Sequence, residues 1–529
     1  MDQKRVSLSI LALLLMVVGL LPVVAMLLKS LEVNGHLGLQ AYRGLLSSAH
    51  QWTLMGNSVL LAFLVTVLSV AAGVPLGVLF GKTDLPLRRF FTVLFVLPLM
   101  VPPYILAVSW TGLLGRDGLL AQVAGQQVAY ATSNLLFGLT GCVFVLFSIF
   151  LPIPMLLTMV FLRTVNPELE EAGLLISGWG QVMRGITLPL VMPGILLSAM
   201  IVFLLGMGEF SVPNFLRFDV FAVESFTQFS AFYNFEAATA AAVPLAAVTF
   251  LLLVAETLFL RERTYQPRLW TSGGVQLIPL GKRRGWIAAV VGLGALVTVV
   301  LPLVVLLIQS AGPSAYSEAF RRAGPSLLRS LEYACVGATL LAVLGLFTGY
   351  LIQTRALGCW RYLDSLTLFL FALPSTVIGI GLISLWNRPW TNLIYGTPAI
   401  VILGYMAKYL ALTSRISVTQ VAMIPPSMEE AAQVLGAGWF KRMARVVMPL
   451  SRPGLFAAWV VGYVFTLRDT GITMLVYPPG HDTLPVRIYT LMANGSPRLV
   501  AALCVVMVVV TVLPLGILLA AGRYSREAF

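Results

Sequence analysis

Charge is what this chain has least of: Asp, Glu, Lys and Arg together make up 10% of 529 residues, against about 25% in soluble domains. That scarcity excludes an ordinary soluble enzyme and a disordered or collagenous chain. Histidine occurs three times and cysteine four times. His36, His50 and His481 fall in loops or at the edges of apolar runs and form no ligand cluster. Cys142, Cys335, Cys359 and Cys504 lack metal-type spacing, and three sit inside apolar runs, so they read as small core hydrophobes. No stretch is long and polar enough to form a separate soluble catalytic domain.

What is present is apolar residues, 59% of the chain, with a mean hydropathy of +0.93. At about 20 residues per crossing, the length holds roughly a dozen membrane helices joined by short loops. Apolar runs place spans near 8–28, 56–81, 91–112, 135–162, 191–207, 239–260, 286–308, 329–353, 362–386, 398–420, 454–466 and 498–521. Lys4 and Arg5 precede a first run that resembles a signal peptide in outline. The run is long enough to span and lacks an A-x-A cleavage site, so it reads as a retained helix. Lys and Arg are about twice as frequent on the side that holds the termini, which places both termini in the cytoplasm. The net charge of +13 has the same origin; no basic and aromatic module accompanies it, and nucleic-acid binding is not expected.

The chain is written twice. Asn57-Ser58 and the apolar run to Gly77 answer to Arg329-Ser330 and the run to Gly349. The segment around Pro98 answers to that around Pro374, and Asn166–Ile195 answers to Pro425–Leu455. These blocks predict an all-α polytopic membrane protein of about 12 transmembrane helices, arranged as two tandem six-helix repeats with parallel pseudo-twofold symmetry. The first repeat covers 1–262 with a cytoplasmic loop at 163–190, a linker follows at 263–285, and the second covers 286–529 with a loop at 421–452.

Each of those loops carries a short helix. Asn166 suits its N-cap, Pro167 the first helical position, and Glu168, Glu170 and Glu171 the positive end of the helix dipole. In the second loop Ser427 and Glu430 read as a capping box. Gly178 and Gly436 read as left-handed stops. Leu169, Ala172 and Ile176, and likewise Met428, Ala431, Ala432 and Leu435, recur at helical spacing. Such a face on so short a helix needs a surface to pack on, in its own membrane domain or in a partner.

The pattern Glu430-Ala431-Ala432, Gly436, Val446, Met448-Pro449 closely resembles the EAA loop of binding-protein-dependent ABC importer permeases. The first repeat departs from it, with Gly173 after Glu171-Ala172, Ser177 at the glycine position and one residue fewer before Leu188-Pro189. The resemblance implies that Glu170, Glu171, Ala172 and Gly178, with Glu429, Glu430, Ala431, Ala432 and Gly436, couple the chain to a homodimer of cytoplasmic ABC ATPase subunits. It implies a periplasmic or extracellular solute-binding protein, a place in the cell inner membrane, no cofactor on this chain, and ATP with Mg in the partner. The fused double form, with the segments Gly208–Leu245 and Arg468–Gly495, looks most like the ferric-iron group. Thiamine, a phosphonate or another small solute are the alternatives within the same architecture.

Four further features are candidates. Glu209 and Asp469 stand at equivalent span ends, where they would face a ferric-ion pathway as hard oxygen ligands or merely form solvated or salt-bridged helix ends. Glu332 and Lys408 are charges inside apolar runs; Arg329 lies one turn from the first, and the second is close enough to an end to snorkel. The run Gly77–Thr83 looks like a phosphate loop but has three residues between its glycines where four are needed. Pro102-Pro103 and Pro374 break the third and ninth spans, for gating or for packing. An ion-coupled transporter would want protonatable groups mid-membrane, and a membrane enzyme clustered His, Asp or Ser; the sequence supplies neither.

Overall fold

The computed structural model describes residues 3–33, 36–38, 40–232, 235–259 and 277–527; residues 263–276 of the expected linker lie outside them. Nine described helices are long and apolar enough to cross a membrane, and three bent helix pairs, counted as one span each, give up to twelve, the expected number. The described strands are Glu32–Val33 and His36–Leu37, a two-residue antiparallel ladder after the first span.

Proline explains where the spans break or widen. Arg88–Met100 and Pro103–Ala124 meet at 99°, and Trp360–Ala372 and Ser375–Trp386 at 109°. Val101 and Leu373, each preceding a proline, are extended, as the proline ring demands of its predecessor. Four spans instead widen into a π turn, at Met16–Leu20, Met183–Thr187, Leu296–Val300 and Met443–Val447. Each π turn is followed two residues on by a proline: Pro22, Pro189, Pro302 and Pro449. A proline ring clashes with the carbonyl four residues back, and that carbonyl lies in the widened turn each time.

The chain divides into two compact units that interleave the repeats. One unit comprises Met1–Ser48, Glu224–Ala246 and Pro313–Phe529, so the first span packs among helices of the second repeat. There the backbone of Pro22 lies against Gly381, where a Cβ would come within 2.9 Å of the Pro22 carbonyl oxygen. The other unit comprises Ala49–Val223 and Ala247–Gly312, so the seventh span, Gly281–Gln309, packs among helices of the first repeat. Val291, Ala295 and Val299 of that span join Phe80, Phe95 and Met155 in one buried cluster.

Within each unit the repeated glycines make close helix crossings, the small-residue packing typical of membranes. Gly73 and Gly77 admit Leu151, Pro154, Met155 and Thr158 of the fourth span, and Gly345 and Gly349 admit Thr413, Ser414 and Ser417 of the tenth. A Cβ at Gly349 would sit 2.6 Å from the Ser417 Cβ and 2.9 Å from the Ser414 carbonyl oxygen, which cannot move without the helix. We expect Gly349→Ala to cost about 1–3 kcal/mol by overpacking, read as a lowered thermal unfolding midpoint in detergent, while Gly516→Ala, which meets nothing within 4 Å inside a helix, does not lower the midpoint.

The serine block also has a structural reason. Ser58 Oγ accepts from the Phe221 amide at 2.8 Å, and Ser330 Oγ accepts from the Leu484 amide at 2.6 Å. The residues before them donate to the same loops: Asn57 to the Asp219 carbonyl at 2.9 Å, Arg329 to the Asp482 carbonyl at 3.0 Å. In both repeats the pair ties the start of a long span to the loop that follows the next-but-two span.

Candidate functional site

The first short loop helix runs Pro167–Leu174 and the second Pro426–Val434. Asn166 caps the first as expected, its Oδ1 accepting from the Glu168 amide at 3.1 Å. The capping box expected of Ser427 and Glu430 does not form: the helix starts two residues earlier, at Pro426, so Ser427 is already inside it and Pro425 stands at the N-cap. Gly436 is the left-handed stop, with φ of +80°. Gly178 is not; its φ of −81° and ψ of 167° make it the N-cap of the next helix, Trp179–Val182, as Gly438 is of Trp439–Arg442.

The glutamates of each loop divide by direction. Glu171 and Glu430 face solvent with Ala172 and Ala431, while Ala432 is half-buried. Glu170 is fully buried, its carboxylate paired with the buried Lys82 ammonium and accepting from the Thr187 hydroxyl at 2.7 Å. Lys82 ends the second span and Thr187 opens the fifth, so this triad binds the loop helix to both. Gly173, where the second repeat has Ala432, permits close packing: a Cβ there would meet Ile186 Cδ1 at 2.8 Å.

The second loop is held by other groups at the equivalent carboxylate. Tyr350 of the eighth span donates its hydroxyl to Glu429 Oε1 at 2.8 Å, and Arg442 Nε lies 3.5 Å from the same oxygen. The Tyr350 ring is covered by Lys4 at 4.9 Å. Sequence reasoning missed Lys82, Thr187, Tyr350 and Arg442. One signal was available: Lys82, at the end of a long apolar run, is the lysine of the apparent phosphate loop and belongs to this anchor.

Beyond both anchors the loops expose apolar side chains. Leu175 and Ile176 are 88% and 91% exposed, and their counterparts Val434 and Leu435 are 88% and 87% exposed. Leu169 and Met428, one face of the helices, are half-exposed at 49% and 48%. The four tip side chains, Leu175, Ile176, Val434 and Leu435, are left almost uncovered by their own unit, which favours the partner alternative for the apolar face.

Glu209 and Asp469 each hold a local turn. Glu209 Oε1 accepts from the Ser211 amide at 2.8 Å and from its hydroxyl. Asp469 Oδ1 accepts from the amides of Ile472 and Thr473 and from the Thr473 hydroxyl, and Oδ2 accepts from the Tyr409 hydroxyl at 2.7 Å. The two carboxylates belong to different compact units. Among the described residues no three His, Cys, Asp or Glu converge.

Two intramembrane charges differ from expectation. Lys408 does not snorkel; it is buried and donates to the Leu373 carbonyl at 2.8 Å, satisfying backbone opened by the break before Pro374. Arg329 turns to Asp482 and the Gly480 carbonyl, while Glu332 is exposed. Of the three histidines, His481 bonds the Tyr333 hydroxyl at 2.9 Å through Nδ1.

The sequence matches the family described as binding-protein-dependent transport system inner membrane component twice, over 73–265 and 342–523. A ferric transport system permease of Actinobacillus pleuropneumoniae is 25% identical over 83% of this chain, which spans 66% of that protein. An Fe(3+)-transport system permease of Haemophilus influenzae is 23% identical over 90% of this chain and 92% of its own length. A spermidine/putrescine transport system permease of Escherichia coli is 23% identical over 40% of this chain and 84% of its own. With two family domains in tandem and nine to twelve apolar spans among the described residues, the chain belongs to the inner-membrane components of binding-protein-dependent transport systems, as a multi-pass transport subunit.

Proposed function

We propose that this chain is the membrane permease of an ATP-driven importer that moves ferric iron from a solute-binding protein into the cytoplasm. A homodimer of cytoplasmic ATPase subunits binds ATP with Mg and docks beneath the two loop helices, and both termini lie on that side. The observation that carries the reading is the paired exposure of Leu175, Ile176, Val434 and Leu435 at equivalent positions of the two loops. Apolar tips on helices too short to stand alone suit insertion into a groove. Glu171, Ala172, Gly178, Glu430, Ala431, Ala432 and Gly436 shape that docking surface, whereas Glu170 and Glu429 carry the load back into the spans. The cargo follows the long relatives, both ferric permeases. Glu209 and Asp469 act in this reading by fixing the loops at the ends of the fifth and eleventh spans.

The test of the cargo is ATP hydrolysis by the reconstituted permease with its ATPase and binding protein, with ferric iron, thiamine or 2-aminoethylphosphonate supplied separately. Stimulation by ferric iron alone is expected. Stimulation by one of the others alone would keep the importer and overturn the cargo.

A further inference from the structure

We propose that the unit built on the first repeat holds an anionic glycerophospholipid in an apolar crevice beside the seventh span. The crevice has a volume of about 590 Å³, within the range of about 300–1,000 Å³ usual for small-molecule sites. Ala72, Pro75, Leu76 and Leu79 of the second span form one wall, and Trp286, Val290 and Gly294 of the seventh form the other. Thr298 is the one polar side chain in a lining otherwise made of apolar residues and glycine, and its hydroxyl is already donated to the Gly294 carbonyl at 2.8 Å. Nothing there recognises a polar solute; an acyl chain suits it.

The charge at its mouth says which lipid. Lys282, Arg283 and Arg284, all exposed, stand one residue before Trp286, which is 74% exposed. The chain before them is pinned to the end of the second span: the Ile278 amide donates to the Lys82 carbonyl at 2.8 Å, and the Leu280 amide to Asp84 Oδ1 at 2.8 Å. Arg88, at the same edge, donates to the Thr83 carbonyl at 3.0 Å, and Arg89 beside it is exposed. Asp84, at the same edge, is engaged by the Leu280 amide. A basic rim, a tryptophan at headgroup level and an apolar slot below it match an anionic headgroup with its acyl chain, and mismatch a zwitterionic one.

The experiment places the full chain in vesicles of phosphatidylcholine containing increasing fractions of either phosphatidylglycerol or phosphatidylcholine with brominated acyl chains, which quench nearby tryptophan. The chain has ten tryptophans, so the difference between the native protein and Trp286→Phe isolates the site. Half-quenching of Trp286 is expected at a brominated phosphatidylglycerol fraction at least about fivefold lower than that of brominated phosphatidylcholine. Lys282→Gln/Arg283→Gln/Arg284→Gln should abolish that preference while leaving quenching by phosphatidylcholine in place. Gly294→Leu, which grows into the slot, should weaken quenching by both lipids. Equal curves for the two lipids in the native protein, a preference that survives the triple substitution, or full quenching in Gly294→Leu would each overturn the proposal.

Discussion

Ala431→Pro is expected to remove coupled uptake from a permease that still folds and inserts. Ala431 lies in the interior of the helix Pro426–Val434, where proline deletes the bond to the carbonyl four residues back and its ring strikes that carbonyl, a cost of about 3 kcal/mol or more. The helix is exposed on this side, so few core contacts are lost and the spans keep their packing. The apolar tip at Val434 and Leu435 loses its presentation. A penalty of that size lowers a docking equilibrium by roughly a hundredfold. Ferric uptake into proteoliposomes should fall by at least about tenfold with a near-native unfolding midpoint. Ala172→Pro, at the same position of the first loop, repeats the test. Native uptake in both variants would show that neither helix transmits the stroke.

Lys82→Met is expected to produce the largest loss of stability of any single change at the joints between loops and spans. Lys82 and Glu170 are 2% and 0% exposed, and removing one partner leaves a buried charge with only the Thr187 hydroxyl to meet it, a cost of about 3–5 kcal/mol. Removing both charges, in Lys82→Met/Glu170→Leu, should return at least half of the loss, because the penalty belongs to the stranded charge more than to the missing attraction. The readout is denaturant unfolding of the four proteins as a double-mutant cycle, with ATP hydrolysis in the assembled complex beside it. Additive losses would mean that the two side chains do not act as a pair. The cognate change in the second loop, Tyr350→Phe, removes one neutral donor and leaves Arg442, so it should cost only about 1–2 kcal/mol.

The contrast between these joints shows what was legible in sequence. Span number, the tandem repeat and the loop helices were readable because hydropathy and helical spacing act locally, and Asn166 capped as its chemistry requires. The Ser427 capping box failed because Pro426, with no amide proton to orphan, is a better first helical residue and moved the start back by two. Gly178 was misread because the first loop is one residue shorter, which turns that glycine from a stop into the cap of the next helix. Buried pairings such as Lys82 with Glu170, 88 residues apart, are tertiary and have no local signature. The interleaving of the first and seventh spans was also hidden, although the shared Leu21-Pro22 and Leu301-Pro302, each directly following a π turn, would have paired those spans as a fourth repeated block.

Docking of the two loop tips on the ATPase is the central claim, and cysteine cross-linking tests it most directly. With Cys335 and Cys359 replaced by serine, Ile176→Cys and Val434→Cys would each be placed in the assembled complex and treated with a short bifunctional thiol reagent against a cysteine series lining the ATPase groove. The account predicts that both positions cross-link to the ATPase in a complex that still hydrolyses ATP. An active complex in which neither tip position reaches the ATPase would contradict it.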